Sequence, residues 1–327
     1  MPARPYDVVT ISDSCVDLLL YGNVVPRFGQ VEQLVDDYLL EMGGSCAIFA
    51  CQAARLGLKV GILGRVGEDD FGRLVLRRLQ DCGVDIRHMI VDPSLKTGVG
   101  VALCKENDRA ILTYMGSICA VTPEDVTDDF LASSRHLHHG SFFLQTRLMD
   151  AMPDIFRRAR RLGLSTSLDT NWDPREEWDS TLPDLFPLTD IFMPNEQEAM
   201  LISRRESVKG ALDWFRQSGV PLVVLKQGER GASVCSREEI LHLPVVPVTG
   251  GDSVGTGDSF DAGFLAGWLR GLPLPECLEI ACRCGRAVAG AVGGLQGQPG
   301  WKEVSNTLTR GSPPSGTLHY GGGQDQH

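Results

Sequence analysis

Apolar positions along this chain follow two alternating rhythms. Short apolar runs recur at residues 6–12, 59–66, 191–194 and 222–226, and further short strands are predicted at 137–140 and 165–168. Between them apolar residues sit at helical spacing, as at Phe71, Leu74, Val75, Leu79 and Cys82, or across Ala47, Ala50, Ala53, Ala54 and Leu56. A short apolar run bounded by turn residues predicts a buried strand, and the wider spacing predicts an amphipathic helix. Further helices are predicted over residues 149–162 and 275–292. Strand and helix signals alternating in this way predict an α/β chain with a doubly wound, mostly parallel sheet.

Two stretches interrupt the alternation. Residues 97–114 read as two strands joined by the turn Glu106-Asn107-Asp108-Arg109. Residues 18–41 show only a weak helical period among several turn residues. The reading is one domain over residues 1–310 carrying these two insertions, then a Pro/Gly/polar tail at 311–327 expected to be disordered.

Residues 250–269 hold the strongest chemical signal. Gly255 and Gly257 bracket Thr256, Asp258 follows, and Phe260, Phe264, Leu265 and Trp268 continue at helical spacing. This reads as a glycine turn opening into a helix, with Asp258 at the N-cap and Asp261 three residues on. Unpaired amides and the helix dipole then make an anion site, and the adjacent carboxylate can take a proton from an attacking hydroxyl. Taken alone, the same residues also describe a plain capped helix. Other polar groups fall just past strand ends, where ligands sit in open α/β sheets: Asp169 to Asn171, and Asn195 with Glu198, which is also a capping-box pattern. Gly43-Gly44 opens a small-residue helix and allows close backbone approach to a ligand.

Composition narrows the functional classes. A net charge of −11 argues against a general nucleic-acid or membrane-surface role, though not against binding ATP at a local site. Ten cysteines without a C-x-x-C pair suggest free thiols in a reducing cytoplasm. No run approaches the ~18 apolar residues of a membrane span. His136, His138 and His139 lack a partner at metal spacing and read as packing residues. No Walker-A motif occurs, so the phosphate cradle falls to the 255–258 turn.

The segment Asp252-Ser253-Val254-Gly255-Thr256-Gly257-Asp258-Ser259-Phe260 resembles the D-T-x-G-A-G-D-x-F signature of the PfkB, or ribokinase-like, carbohydrate kinases. Gly43 and Gly44, Ala54-Arg55-Leu56-Gly57, the 64–85 block, Asn195-x-x-Glu198 and Gly228-x-x-Gly231 extend the resemblance over most of residues 6–302. It implies a ribokinase-like sheet with a small β-sheet lid built from the two insertions, which shuts out water and through which two copies would pair as a homodimer. It implies ATP-dependent phosphorylation of a sugar, polyol or nucleoside hydroxyl. Asp258 would be the base, with Gly255, Thr256 and Gly257 forming the anion hole. Asp17, Gly43, Gly44, Ile48 and Asn171 would meet the acceptor. Asn195 and Glu198 would place Mg2+ through water. Lys226, Gly228, Gly231 and Cys282 would border the nucleotide, although Cys282 by itself reads as a packing residue. Asp252 would bind a monovalent cation such as K+.

The chain departs from the family at two places. Ile48 stands where an Asn meets the sugar, so ribose is expected to be a poor substrate. Asp173 stands where relatives acting on keto-sugar acids carry Arg, and is expected to repel an acid. A catalytically silent, sugar-binding regulator on the same fold is the alternative.

Overall fold

The computed structural model describes residues 4–306, except 106–107, 179, 249 and 252. The tail and Asp252 therefore lie outside the described residues. The strands are β1 (Val8–Ile11), β2 (Cys15–Tyr21), β3 (Asp37–Gly43), β4 (Val60–Gly67), β5 (Asp85–Asp92), β6 (Gly98–Lys105), β7 (Asp108–Tyr114), β8 (His136–His139), β9 (Ser165–Leu168), β10 (Ile191–Phe192), β11 (Leu222–Lys226), β12 (Ala232–Cys235) and β13 (Ile240–Leu243). The helices are α1 (Ser45–Arg55), α2 (Asp70–Asp81), α3 (Asp128–Ala132), α4 (Met152–Arg161), α5 (Leu182–Leu185), α6 (Glu196–Ser203), α7 (Val208–Gln217), α8 (Thr256–Trp268), α9 (Leu274–Ala289) and α10 (Trp301–Ser305).

The large sheet runs β13-β12-β11-β10-β9-β8-β1-β4-β5. It is parallel from β11 to β5, and β12 and β13 are antiparallel at one edge. Helices cover both faces, so β1, β10 and β11 read as near-continuous apolar runs, whereas β8 and β9 bury polar side chains that bond each other, His136 and His138 with Ser165 and Ser167. One core packs α1, α2, α8, α9 and α10 on one face, and a second packs α3 to α7 on the other. Strand order reverses at β1, whose neighbours are β4 and β8. The C-terminal ends of β1 and β8 therefore flank a switch-point crevice, the preferred ligand site of such sheets.

Residues 18–41 do not form a helix. They contribute to β2 and β3, which join β6 and β7 in a separate sheet of order β3-β2-β6-β7. Pairing with β6 along all of β2 overrides the weak helical period. This small sheet exposes Tyr38, Ile111, Leu112 and Tyr114. It touches the large domain where Leu39 meets Gly293 and where Arg109 Nη1 donates to Ser253 Oγ at 3.3 Å. The half-exposed edge strand β5 carries no clear apolar run and had no sequence signal. Among the described residues, no helix is long and apolar enough to cross a membrane.

Candidate active site

The site begins at the end of β1. Asp13 is 2% exposed and accepts hydrogen bonds from the amides of Ser45, at 2.9 Å, and Cys46, at 3.0 Å. These amides open α1, so a buried carboxylate satisfies donors that a helix start leaves unpaired. Ser141, just past β8, also donates its hydroxyl to Asp13. Asn171, past β9, donates Nδ2 to the hydroxyls of Ser45 and, at 2.8 Å, Ser141. Asn171 and Ser141 both hold positive φ, at 56° and 54°, so this polar crossing is built on backbone conformations that most residues avoid. Burial pushes the Asp13 carboxyl above its ordinary range, against the hydrogen bonds it accepts.

Asp17 lies on β2, in the small sheet. A Cβ on Gly43 would fall 2.4 Å from the Asp17 carboxylate, and one on Gly100 would fall 2.7 Å from it. Those two glycines therefore make room for Asp17. Gly44, at φ +95°, has its own reason: a Cβ there would meet the Asp13 carbonyl at 2.6 Å.

The second half of the site centres on Lys226, at the end of β11. Its Nζ bonds Asp169 at 2.8 Å and Asp261 at 3.2 Å. Burial opposes the lysine charge, but the two carboxylates outweigh it and hold Lys226 firmly protonated. Asn195 caps α6, and the capping box closes in both directions: Glu198 N to Asn195 Oδ1, and Asn195 N to Glu198 Oε2, each 2.9 Å. Burial first, and Asp169 second, push Glu198 up to about 7. The turn after β11 places Gly228 at φ +56° and Gly231 at φ +100°. A Cβ on Gly231 would strike the Leu243 carbonyl.

Gly255, not Asp258, is the N-cap of α8, with φ +68° and no side-chain cap. The sequence expectation is corrected here, because the chain enters the helix through Gly255 and Asp258 then falls inside the first turn. A Cβ on Gly255 would lie 2.8 Å from Gly294 Cα and 2.9 Å from Ile48. Gly257 is unstrained, and a Cβ there would meet only Lys226, Nζ at 3.6 Å. Among the described residues, the amides of Gly257 and Asp258 find no acceptor. The buried Thr256 hydroxyl also has no partner. Asp258 is half-buried beside Asp169, Lys226, Asp13 and the Ser45 hydroxyl. Burial, then Asp169, raise it to about 8. Asp261, read from sequence as a helix-start residue, is instead buried against Lys226, and burial lifts it well above the ordinary range.

Two further readings change. Ile48 is 3% exposed and packs against Gly255 and Gly294, so it supports the turn and has little surface to offer a sugar. The Asp173 carboxylate is taken up by the amides of Arg175, Glu177 and Trp178 and is 4% exposed, so it organises its own loop instead of repelling a ligand. Cys282 lies in the α8–α9 core at 8% exposure, where burial raises its thiol to about 12, in keeping with its packing reading. The buried histidines also follow their packing reading. His136 bonds Ser165 and Ser167, His138 bonds Ser167 and stacks on Phe49, and burial depresses all three. Asp13, Ser45 and Ser141 were not singled out from the sequence; Asp169 stood there only as a polar group past a strand end and Asp261 only as part of a helix start. The one available signal was a polar residue directly after a strand.

The arrangement provides open amides at a helix start, a cation beside them, and carboxylates crowded at one sheet edge. Comparison with known proteins agrees with it. Residues 7–299 match the pfkB family of carbohydrate kinases. The chain is 27% identical over 292 residues to a 5-dehydro-2-deoxygluconokinase of Geobacillus thermodenitrificans (strain NG80-2), covering 84% of this chain and 85% of that one. It is 26% identical over 318 residues to the 2-dehydro-3-deoxygluconokinase of Bacillus subtilis (strain 168), covering 93% and 95%. An E. coli protein provisionally assigned as a ribokinase II, solved with ATP and Mg2+, superposes with a TM-score of 0.81 at 27% identity, covering 92% of this chain and 98% of that one. With the family match spanning nearly all of the described fold, the chain belongs to the pfkB family of carbohydrate kinases.

Proposed function

We propose that this kinase transfers the γ-phosphoryl group of ATP to a hydroxyl of a small uncharged sugar, polyol or nucleoside. The observation that carries this reading is the charge of the site. Asp13, Asp169, Asp258, Asp261 and Glu198 share one network in which, among the described residues, Lys226 is the bonded cation. Crowded carboxyl groups can donate to and accept from neutral hydroxyls, whereas an acid group on the acceptor would find Lys226 already held by Asp169 and Asp261.

Asp258 is the base in this reading. It stands one residue past the open amide of Gly257 and takes the proton from the acceptor oxygen as that oxygen attacks. The amides of Gly257 and Asp258 face charge developing on the transferred group, and Lys226 Nζ adds a cation beside them. Asp13 fixes Ser45 and Ser141, and with Asn171 these groups orient the acceptor. Asp17 supports a second hydroxyl contact from the small sheet. That sheet acts as a lid excluding water, which competes as acceptor.

The donor set fits Mg2+. Burial first and Asp169 second lift Glu198 to about 7 and Asp258 to about 8, and a divalent cation beside such carboxyls would favour their ionised, ligating forms. Asn195 and Glu198 would hold the ion through water, where its charge would offset that of the nucleotide phosphates.

The test is ADP release with a panel of neutral sugars, polyols and nucleosides beside keto-sugar acids. The best kcat/KM should belong to a neutral acceptor. A sugar acid as the best substrate would contradict this reading.

A further inference from the structure

Asp261 lies on α8, three residues after Asp258, and at 1% exposure it is too deep to touch an acceptor or a phosphate. Both of its oxygens face the Lys226 ammonium, at 3.2 and 3.4 Å. Asp169, at 2.8 Å, already gives that ammonium a charge partner. A second carboxyl is therefore not needed to bury the lysine. Burial lifts Asp261 well above the ordinary range, so holding it there costs stability. A buried group kept at such a cost beside a ligand site points to function. What Asp261 adds is direction. An ammonium has three N–H donors. Asp169 takes one, and Asp261, presenting both oxygens from one side, takes another. Among the described residues the third has no acceptor. Nζ also stands 3.6 Å from where a Cβ on Gly257 would lie, beside the open amides of Gly257 and Asp258.

We infer that Asp261 is a positioning residue for phosphoryl transfer: it ties the Lys226 ammonium to α8, the helix whose open amides meet the transferred group. The inference rests on the kinase reading above. Lys226 ends β11, and Asp169 directly follows β9. Held by Asp169 alone, the ammonium would follow the sheet. Held by Asp261 as well, it keeps a fixed place relative to the amides one turn earlier on the same helix. Two amides and one N–H are then set before the transferred group arrives, which is what electrostatic preorganisation requires. Asp261 does this by accepting a hydrogen bond. An amide oxygen in the same place serves in its stead, and an alanine does not.

The test is a double-mutant cycle on Asp261 and Lys226, with melting temperatures to confirm that each variant folds. Asp261→Ala should lower kcat about 10-fold, the lower part of the range for a misplaced group, and leave the KM of the acceptor unchanged. Should Asp261→Ala not fold, Asp261→Leu, which fills the volume without an oxygen, takes its place. Asp261→Asn keeps an acceptor oxygen and should return kcat to within about 3-fold of the parent. In a Lys226→Met background, Asp261→Ala should cost less than about 2-fold more, since it acts through the ammonium. The same cycle is read as the Kd of a non-hydrolysable ATP analogue with Mg2+, which Asp261→Ala should raise about 5-fold only while Lys226 is present. This binding arm decides the inference even where no neutral acceptor is turned over, a result that would sink the substrate reading alone. Unchanged kcat and Kd in a folded Asp261→Ala protein, an Asn variant no better than Ala, or an undiminished loss in the Lys226→Met background would each overturn the assignment.

Discussion

Two helix starts face the same crevice and are finished in opposite ways. At α6, Asn195 and Glu198 exchange hydrogen bonds with each other's amides, so the chain satisfies its own donors. At α8, Gly255 turns the backbone at φ +68° and, among the described residues, no side chain caps the amides that follow. Lys226 stands between the two. Its amide bonds the Pro194 carbonyl just before α6, and its Nζ lies near the Cα hydrogens of Gly257. A capped start stabilises the fold by itself, whereas an uncapped start beside a cation stabilises whatever anion arrives. The contrast separates framework from ligand site within one sheet edge.

Filling the uncapped start should have the largest effect. Gly257→Val places a side chain over the open amides while meeting the protein only at ordinary contact distance from Lys226. The variant should fold, and kcat should fall at least about 100-fold, the scale of losing one preorganised donor. Near-normal turnover in a folded Gly257→Val protein would mean the turn is only structural.

The capped start offers a smaller effect. Glu198→Gln keeps an acceptor for the Asn195 amide, so the cap survives. If Glu198 also serves Mg2+, the concentration giving half-maximal rate should rise about 10-fold, as for other groups that orient a metal. An unmoved magnesium titration would leave α6 with its capping role alone.

How much of this was legible beforehand depended on whether the cause was local. The strands β1, β4, β10 and β11 were readable because burial on both faces writes near-continuous apolar runs. The glycine turn was readable because position 255 combines φ +68° with packing so close to Gly294 and Ile48 that a Cβ would not fit, and glycine marks such a place in the sequence. The long-range decisions were not. Asp13 and Asp17 both follow β1, and Asp13 is fixed in the crevice by amides 32 and 33 residues away. Ile48 looked like a substrate position until Gly255 and Gly294 closed over it. Asp173 looked like a charge facing a ligand until three amides of its own loop claimed it. The strands β2 and β3 depend on pairing with each other and with β6, which no local period encodes.

Asp258 joins both sides of the comparison, because it sits in the open turn and is paid for by the framework. Its carboxyl is raised to about 8, so in the folded state it is held protonated more strongly than in the unfolded chain. The sign follows: its cost to stability is absent below the unfolded value near 3.8 and complete above about 8. Asp258→Asn should therefore raise the melting temperature by a few degrees at pH 8, with the gain shrinking as the pH falls toward 4. The most direct measurement is turnover of this same variant with its best acceptor, alongside ATP binding. The account predicts a protein at least as stable as the parent that binds ATP nearly as well, with kcat lower by at least about 100-fold. A folded Asp258→Asn enzyme within a few-fold of the parent's kcat would contradict the assignment of Asp258 as the base.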